Sequence, residues 1–255
     1  MTKLLNDKKW IGILSGIIIG AVFVGISLAV MNFMSGIPWF IFSSILRLFF
    51  GIAILLLFEK IYGKSPKELL AFSNAKVAFL SSIGFLLYFV YDFICIAAGF
   101  ESFTGISAGI LFSKVFLQQI TTGFYEELNY RALILEGYHY GKKNVGRKIL
   151  YAFISFVLFG LLHVVTGWNT YTFLQTGAIG FTFAVIYLNS GNIILPMLLH
   201  FLYDILAKLA VYIQWNDSAV FASMNSVFEA ALLVMFIVSF VLLFQKETEK
   251  QSADS

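Results

Sequence analysis

The chain has 255 residues, of which 60% are hydrophobic and only 12% are charged, and its formal net charge is +3. A soluble domain carries about 25% charged residues, so this composition excludes an ordinary soluble protein. The single cysteine, Cys95, excludes an intrachain disulfide and a zinc site built from several cysteines. We also expect no nucleic-acid partner.

The apolar residues occur in blocks of about 20, the helix length that crosses about 30 Å of hydrocarbon. They predict an all-α, polytopic helical membrane protein with about eight transmembrane helices in the lipid bilayer. In chain order, the predicted spans are residues 10–34, 38–58, 77–98, 108–140, 149–166, 172–189, 193–213 and 222–244. The first block follows two lysines, as in a signal peptide, but it is too long for one and is expected to be retained.

No internal repeat, low-complexity segment or long linker divides the chain. We therefore expect a single membrane domain over residues 1–244. A polar segment follows at residues 245–255, and its composition is typical of a disordered cytoplasmic tail.

The basic residues predict the orientation of the chain. Thirteen of the 17 lysines and arginines precede span one, lie between spans two and three, lie between spans four and five, or follow span eight. In an eight-span protein these four segments share one side of the membrane. The positive-inside rule makes that side, with both termini, cytoplasmic, whereas seven spans would break the alternation.

Several charged residues fall inside predicted spans, where each costs about 2.5–3.5 kcal/mol unless it faces a partner or a water-filled cavity. For four of them a structural role is favoured. Arg47 and Asp92 are expected to pair with each other, and Lys114 and Lys208 are expected to reach an interface. Glu136 lies late enough in span four to reach the interface as well.

The stretch GFYEELNYRAL, residues 123–133, places two adjacent glutamates and an arginine in span four. On a helix, Glu127 and Arg131 are i,i+4 neighbours and form a salt bridge. Glu126 points about 100° away and lacks that partner, so its carboxylate is available to a cavity as a general base. A polar cluster that only holds helices together is the equally weighted alternative.

Two further motifs place histidines in spans. Phe159 and His163 are four residues apart in FGLLHVVTG, and His200 and Asp204 are four residues apart in LPMLLHFLYDIL. The second spacing puts a carboxylate beside an imidazole, where it fixes the tautomer or shares a ligand. Hydrogen bonds between helices are the structural alternative for both motifs. A glutamate and two histidines on three helices nevertheless supply a base and two imidazoles that polarise a carbonyl or bind a metal, which favours hydrolysis by water.

The three motifs together resemble those of a known family. E-E-x-x-x-R, F-x-x-x-H and H-x-x-x-(N/D), each on its own membrane helix, are similar to the CAAX protease and bacteriocin-processing (CPBP, or Abi) family of intramembrane endopeptidases. The resemblance covers roughly residues 105–210, while the first three spans and the last carry no motif.

The resemblance implies roles for the motif residues. Glu126 and His163 would activate a water molecule, His200 and Asp204 would stabilise the oxyanion, and Arg131 would orient the pair formed by Glu126 and Glu127. The expected substrate is a membrane-associated peptide, either prenylated or of the bacteriocin type, in what we expect to be a bacterial cell membrane. The alternative is a non-catalytic bacteriocin immunity or scaffold protein with the same fold.

A metal-free mechanism is preferred, and zinc is the alternative cofactor. If a metal is bound, its expected ligands are Glu126, His163, His200 and Asp204.

Two features of the sequence depart from what the resemblance implies. Some relatives have Asn where this chain has Asp204, and an ionised aspartate does not donate to an oxyanion. By helical rise, Glu126 and His163 lie about 22 Å from the basic loop, but His200 lies only about 13 Å from the turn at Gly191. Either the helices tilt or this turn dips into the membrane.

Overall fold

The computed structural model describes residues 2–140 and 143–244. The predicted polar tail at residues 245–255 therefore lies outside the described residues. The α-helices are α1 (Thr2–Met31), α2 (Gly36–Tyr62), α3 (Pro66–Leu69), α4 (Ala75–Ser81), α5 (Ile83–Gly99), α6 (Ala108–Ile110), α7 (Gln118–Glu127), α8 (Val145–His163), α9 (Thr170–Ser190), α10 (Ile194–Ala210) and α11 (Ser218–Leu242).

Residues 108–138 form one continuous helical path, which we call the composite helix. It runs from α6 through α7 and includes π-helical turns at Leu111–Leu117 and Leu128–Leu133 and a final 3-10 turn at Glu136–Tyr138. A π-helical turn accommodates an extra residue in a helix and often lies at a functional site. The second such turn begins directly after the two glutamates of span four.

Among the described residues, five helices are long and apolar enough to cross a membrane: α1 from Trp10 onwards, α2, α8, α9 and α11. The pair α4 and α5, bent by 66°, is a sixth candidate if it counts as one span. The other two predicted spans correspond to the composite helix and to α10, which has 17 residues. These two elements carry two of the three charged motifs. The all-α polytopic membrane fold is confirmed, while the count of eight spans and the single domain over residues 1–244 stay predictions.

Short polar side chains begin three of the long helices. Asn144 Oδ1 accepts a hydrogen bond from the Arg147 backbone N–H at 2.8 Å, which starts α8. Asn169 starts α9 in the same way, and Asp217 starts α11. Because the first backbone N–H groups of a helix lack partners within the helix, these caps fix where each helix leaves its loop.

Two short strands form in segments for which the sequence predicted no strand. Strand β1 (Phe100–Phe103) pairs antiparallel with β2 (Ile213–Trp215), with an irregularity between Phe100 and Ser102. The pairing links the chain after α5 to the chain after α10. It therefore ties the ends of two helices that pack against each other.

Helix α1 packs closely on the composite helix through a glycine stripe, defined as Gly12, Gly16 and Gly20. A Cβ added at Gly12 would lie 2.6 Å from the Leu133 carbonyl oxygen. The Gly16 carbonyl accepts a hydrogen bond from Asn129 Nδ2 at 3.0 Å. Small residues at i,i+4 spacing allow such close contact between membrane helices, so the stripe fixes the position of α1.

The turn between α9 and α10 is buried by the loop that precedes α4. The Asn192 side-chain amide donates to the Ser73 carbonyl oxygen at 2.6 Å, and the Asn74 amide donates to the Ser190 carbonyl oxygen at 2.7 Å. Asn192 is fully buried. Helix α10 therefore begins inside the protein. His200 can thus lie deep in the fold although it follows this turn closely in the sequence.

Glu136, at the end of the composite helix, is held between two other helices. Its carboxylate accepts a hydrogen bond from the Tyr187 hydroxyl at 2.6 Å and forms an ion pair with Lys64. The glutamate is buried, whereas the Lys64 side chain is 43% exposed. The pair thus reaches the protein surface, and it joins α9, the composite helix and the end of α2.

Candidate active site

The candidate site forms where α7 and α10 approach each other most closely. A Cβ added at Gly123 would lie 3.1 Å from the Met197 carbonyl oxygen and 3.4 Å from the Phe201 backbone nitrogen. Both are backbone atoms of α10, so they have little freedom to move away. The absence of a side chain at Gly123 brings the glutamates of α7 against His200.

Glu127, Arg131 and His200 form a closed cluster. The Glu127 Oε1 atom lies 2.8 Å from His200 Nδ1 and 3.1 Å from Arg131 Nη1. The Glu127 and Arg131 side chains are both 0% exposed. Because an ionised carboxylate only accepts hydrogen bonds, Nδ1 donates to Glu127, which fixes the ring orientation and turns Nε2 towards the rest of the site.

Glu126 and Asp204 lie on the other side of the imidazole, where the site is more open. His200 Nε2 lies 3.8 Å from Glu126 Oε2 and 3.6 Å from Asp204 Oδ2. These side chains are 16% and 19% exposed. The separations exceed a hydrogen bond, and Glu126 Oε2 is buried without a hydrogen-bond partner. Two carboxylates thus face one ring nitrogen across a narrow gap.

Phe159 connects the three sequence motifs. The Arg131 guanidinium lies over its ring, with 4.1 Å from Cζ to the ring centroid. The same ring contacts His163 at 4.6 Å and His200 at 5.7 Å between centroids. This aromatic face stabilises a buried guanidinium that forms an ion pair with Glu127 but no well-aligned hydrogen bond. The phenylalanine of the F-x-x-x-H pattern therefore holds the closed cluster together.

His163 stands apart from the other predicted site residues. It is the last residue of α8, its side chain is exposed, and Nδ1 lies 2.8 Å from the Phe159 carbonyl oxygen. Within the described part of the chain, no carboxylate oxygen lies within 4.0 Å of His163. Its charge interacts with Asp204 at longer range. The structure thus brings five of the six predicted residues into one cluster and leaves His163 at its edge.

Sequence reasoning assigned Arg47 incorrectly. The expected pair between Arg47 and Asp92 is not found among the described residues. The Arg47 charge instead interacts with Glu126 and Asp204. Asp92 contacts Tyr88 one turn earlier on α5. An arginine inside a predicted span does signal a buried partner, but the sequence cannot tell which carboxylate the fold brings near it.

The described residues do not present an evident metal centre. Among residues 2–140 and 143–244, no group of three or more His, Cys, Asp or Glu side chains is arranged to hold one metal ion. The four candidate ligands, Glu126, His163, His200 and Asp204, are thus not gathered around one point.

Comparison with known proteins adds one match. The family model described as type II CAAX prenyl endopeptidase, Rce1-like, matches residues 106–206. This segment contains all six predicted site residues and coincides with the region that carried the family resemblance, which is confirmed. No curated protein matches the chain, and no solved structure does. The helices from α1 to α5, and α11, lie outside the matched segment.

Proposed function

We propose that this chain, whose residues 106–206 match the Rce1-like family of type II CAAX prenyl endopeptidases, is an intramembrane endopeptidase that uses glutamate-activated water. One observation carries the proposal. Glu126 and Asp204 face His200 Nε2 at 3.8 and 3.6 Å, while Glu127 holds the opposite ring nitrogen. One partly open site thus combines a base, Glu126, with a polarising imidazole, His200, and a carboxylate that orients it, Glu127.

In the proposed reaction, the Glu126 carboxylate accepts a proton from water as the water oxygen attacks the scissile carbonyl carbon. The carbonyl oxygen becomes an oxyanion. Glu126 then transfers the proton to the leaving amine as the carbon–nitrogen bond breaks, which regenerates the carboxylate. General-base catalysis of this kind contributes typically about 10²–10⁴-fold to the rate.

His200 is the proposed donor to the oxyanion. Three carboxylates, those of Glu126, Glu127 and Asp204, surround its ring and favour an imidazolium. Such a ring donates from both nitrogens, with Nδ1 bound to Glu127 and Nε2 directed to the oxyanion. Asp204, whose Oδ2 lies 3.6 Å from Nε2, supports the same oxyanion site. The edge position of His163 supports a role beside the attacking water, as the family resemblance implies.

The proposed substrate is a membrane-associated peptide that carries an apolar chain. A groove of about 420 Å³ lies between α1 and α8, and aliphatic side chains line most of it. It reaches Tyr130, whose ring lies 6.3 Å from that of Phe159. The groove thus places apolar surface next to the ring that contacts both site histidines, as hydrolysis of a prenylated or bacteriocin-type peptide requires.

The decisive test replaces Glu126 with Gln, which keeps the shape and removes the base. We expect Glu126→Gln to lose at least about 10²-fold in hydrolysis of a prenylated peptide by the reconstituted protein. His163→Ala is expected to abolish processing as well, while both variants still accumulate in the membrane. Normal processing by Glu126→Gln would refute the peptidase proposal. Loss of processing with retained protection against a bacteriocin would favour the non-catalytic immunity function instead.

We also propose that both termini and the segment at residues 141–148 are cytoplasmic. The segregation of the basic residues supports this orientation. Reporter fusions after Lys143 and after Lys250 are expected to show cytoplasmic activity only. Finding either fusion on the outer face would contradict the eight-span orientation.

A further inference from the structure

Arg47 is a site residue that the family match does not include. It lies in the middle of α2, which packs along α7, and the matched segment begins only at residue 106. Its charge interacts with Glu126, with Asp204 and with the Tyr125 hydroxyl. The Arg47 guanidinium lies over the Phe23 ring, and that ring contacts the ring of Tyr125, the neighbour of Glu126, at 4.5 Å between centroids. Arg47 therefore lies on the side of the site that Glu126 occupies.

Two of the three guanidinium nitrogens of Arg47 have no hydrogen-bond partner within the protein. Its Nε and Nη1 atoms are buried without a hydrogen-bond partner. In the part of the chain that the structure describes, no carboxylate oxygen lies within 4.0 Å of the guanidinium. Its contact is with the Phe23 ring, 5.2 Å from Cζ to the centroid. Arg47 is half-buried, but burying two guanidinium nitrogens without an ion pair is costly, and an aromatic face offsets that cost only in part.

The position of Arg47 contrasts with that of Arg131. Arg131 Nη1 lies 3.1 Å from Glu127. Arg47 lies close enough to Glu126 and Asp204 for the charges to interact, but too far for an ion pair. A guanidinium presents a rigid fork of donors that matches a carboxylate through two parallel hydrogen bonds. The fork of Arg47 is thus available to an anion that enters the site.

The proposed reaction supplies such an anion. A peptide near Glu126 brings its C-terminal carboxylate or an Asp or Glu side chain, and each residue of an extended peptide spans about 3.5 Å. Without a cation nearby, Glu126 and Asp204 would repel that carboxylate. We propose that Arg47 binds a carboxylate of the substrate peptide and thereby selects and positions it, an inference that rests on the endopeptidase function proposed above.

Three probe peptides distinguish the two sources of the carboxylate. Each is S-farnesylated and carries a fluorophore and a quencher. The first has a free C-terminus and one Glu, the second has an amidated C-terminus, and the third has Gln in place of the Glu. For the wild-type protein in lipid vesicles, Kd and KM are expected to rise roughly 10- to 100-fold when the recognised carboxylate is removed, with kcat nearly unchanged.

Arg47→Gln is expected to bind all three peptides equally weakly, because the discriminating charge is gone. Arg47→Lys keeps the charge but loses the fork, so its discrimination should be intermediate. The matched control is Lys114→Gln. It removes another cation of the protein interior, one whose Nζ donates to the Tyr212 hydroxyl at 2.8 Å, and it should leave the ratio between peptides unchanged.

Two results would overturn the proposal. One is equal binding of all three peptides by the wild-type protein, which does not depend on any variant folding. The other is Arg47→Gln with a lowered kcat but unchanged discrimination, which would mean that Arg47 acts only on Glu126. If the wild-type protein cleaves no peptide, the endopeptidase proposal fails. The three Kd values then still decide whether Arg47 binds a carboxylate of the peptide.

Discussion

The two sides of His200 differ in how tightly they are built. On the Nδ1 side, Glu127 lies at 2.8 Å, and both Glu127 and Arg131 are 0% exposed. On the Nε2 side, Glu126 and Asp204 lie at 3.8 and 3.6 Å and are partly exposed. One imidazole therefore separates a closed half, formed by Glu127 and Arg131, from an open half, formed by Glu126 and Asp204.

This difference shows that charged residues inside one membrane protein can have two roles. Some fix the orientation of a side chain, and others remain available to a reacting molecule. The closed half makes the short contacts that fix a side chain in one orientation. The open half keeps its groups apart, at distances that a reacting molecule fills. A catalytic site needs both, because donors must be oriented before the transition state forms and must still have free hydrogen-bonding capacity.

The largest effect is expected from breaking the closed half. Arg131→Met removes the positive charge next to Glu127 and leaves the buried carboxylate with His200 as its remaining partner. Removing one partner of a buried pair costs about 3–5 kcal/mol. We expect a loss of that size in the free energy of unfolding, measured by denaturation of the purified protein in detergent micelles, with loss of hydrolysis.

The double variant Glu127→Gln/Arg131→Met is the control for this prediction. The Gln carbonyl still accepts from His200 Nδ1, and neither unpaired charge remains. Replacing both members of a buried ion pair is often close to neutral, so much of the lost stability should return. Equal destabilisation of the single and double variants would show that the ion pair is not what holds the closed half.

The next effect concerns Asp204 in the open half. Asp204→Ala is expected to lose about 2.7–4 kcal/mol of transition-state stabilisation, the cost of one oxyanion-site group. Asp204→Asn replaces the charge by an N–H donor and keeps the shape, so it should retain activity. Rates of peptide hydrolysis by both variants, with and without a strong chelator, measure this. Equal damage by Asn and Ala, together with inhibition of the wild type by chelator, would instead indicate a metal ligand at Asp204.

The smallest effect is expected from separating α7 slightly from α10, which moves Glu126 and Glu127 relative to His200. Gly123→Ala places a methyl group 3.1 Å from the Met197 carbonyl oxygen, so α7 must shift away from α10. Overpacking of this kind costs about 1–3 kcal/mol, and it should also lower kcat because the glutamates move relative to His200. Gly146→Ala is the control, since an added Cβ there meets only Asn144 Oδ1, at an ordinary contact distance of 3.6 Å. Unchanged hydrolysis by Gly123→Ala would show that the close approach is not needed.

Local spacing predicted the contacts that occur within one helix. The pair of Glu127 and Arg131 and the pair of His200 and Asp204 are both i,i+4 neighbours, and both are found. The apolar blocks likewise predicted the membrane helices. In each case the physical cause lies in a few neighbouring residues, which a single sequence displays.

Contacts between helices were not predictable in this way. The bond from His200 to Glu127 crosses 73 residues, and Arg47 lies near Glu126 and not near Asp92. These depend on how α2, α7 and α10 pack, which no local pattern specifies. The π-helical turn that begins at Leu128 also left no signal, because its residues are ordinary helix formers.

The glycine stripe of α1 has a consequence for biogenesis. Its contact Asn129 follows Gly16 by 113 residues, so at about 5–20 residues per second it is synthesised roughly 6–23 s later. During that interval α1 resides in the bilayer with only part of the surface it will pack on, namely α2, whose Tyr62 lies beside Gly12. Glycines expose no polar side chain, so acyl chains cover the stripe until the composite helix arrives and displaces them. Insertion of α1 and its assembly onto the composite helix are thus separate events, and a larger residue at Gly16 should leave the first intact while blocking the second.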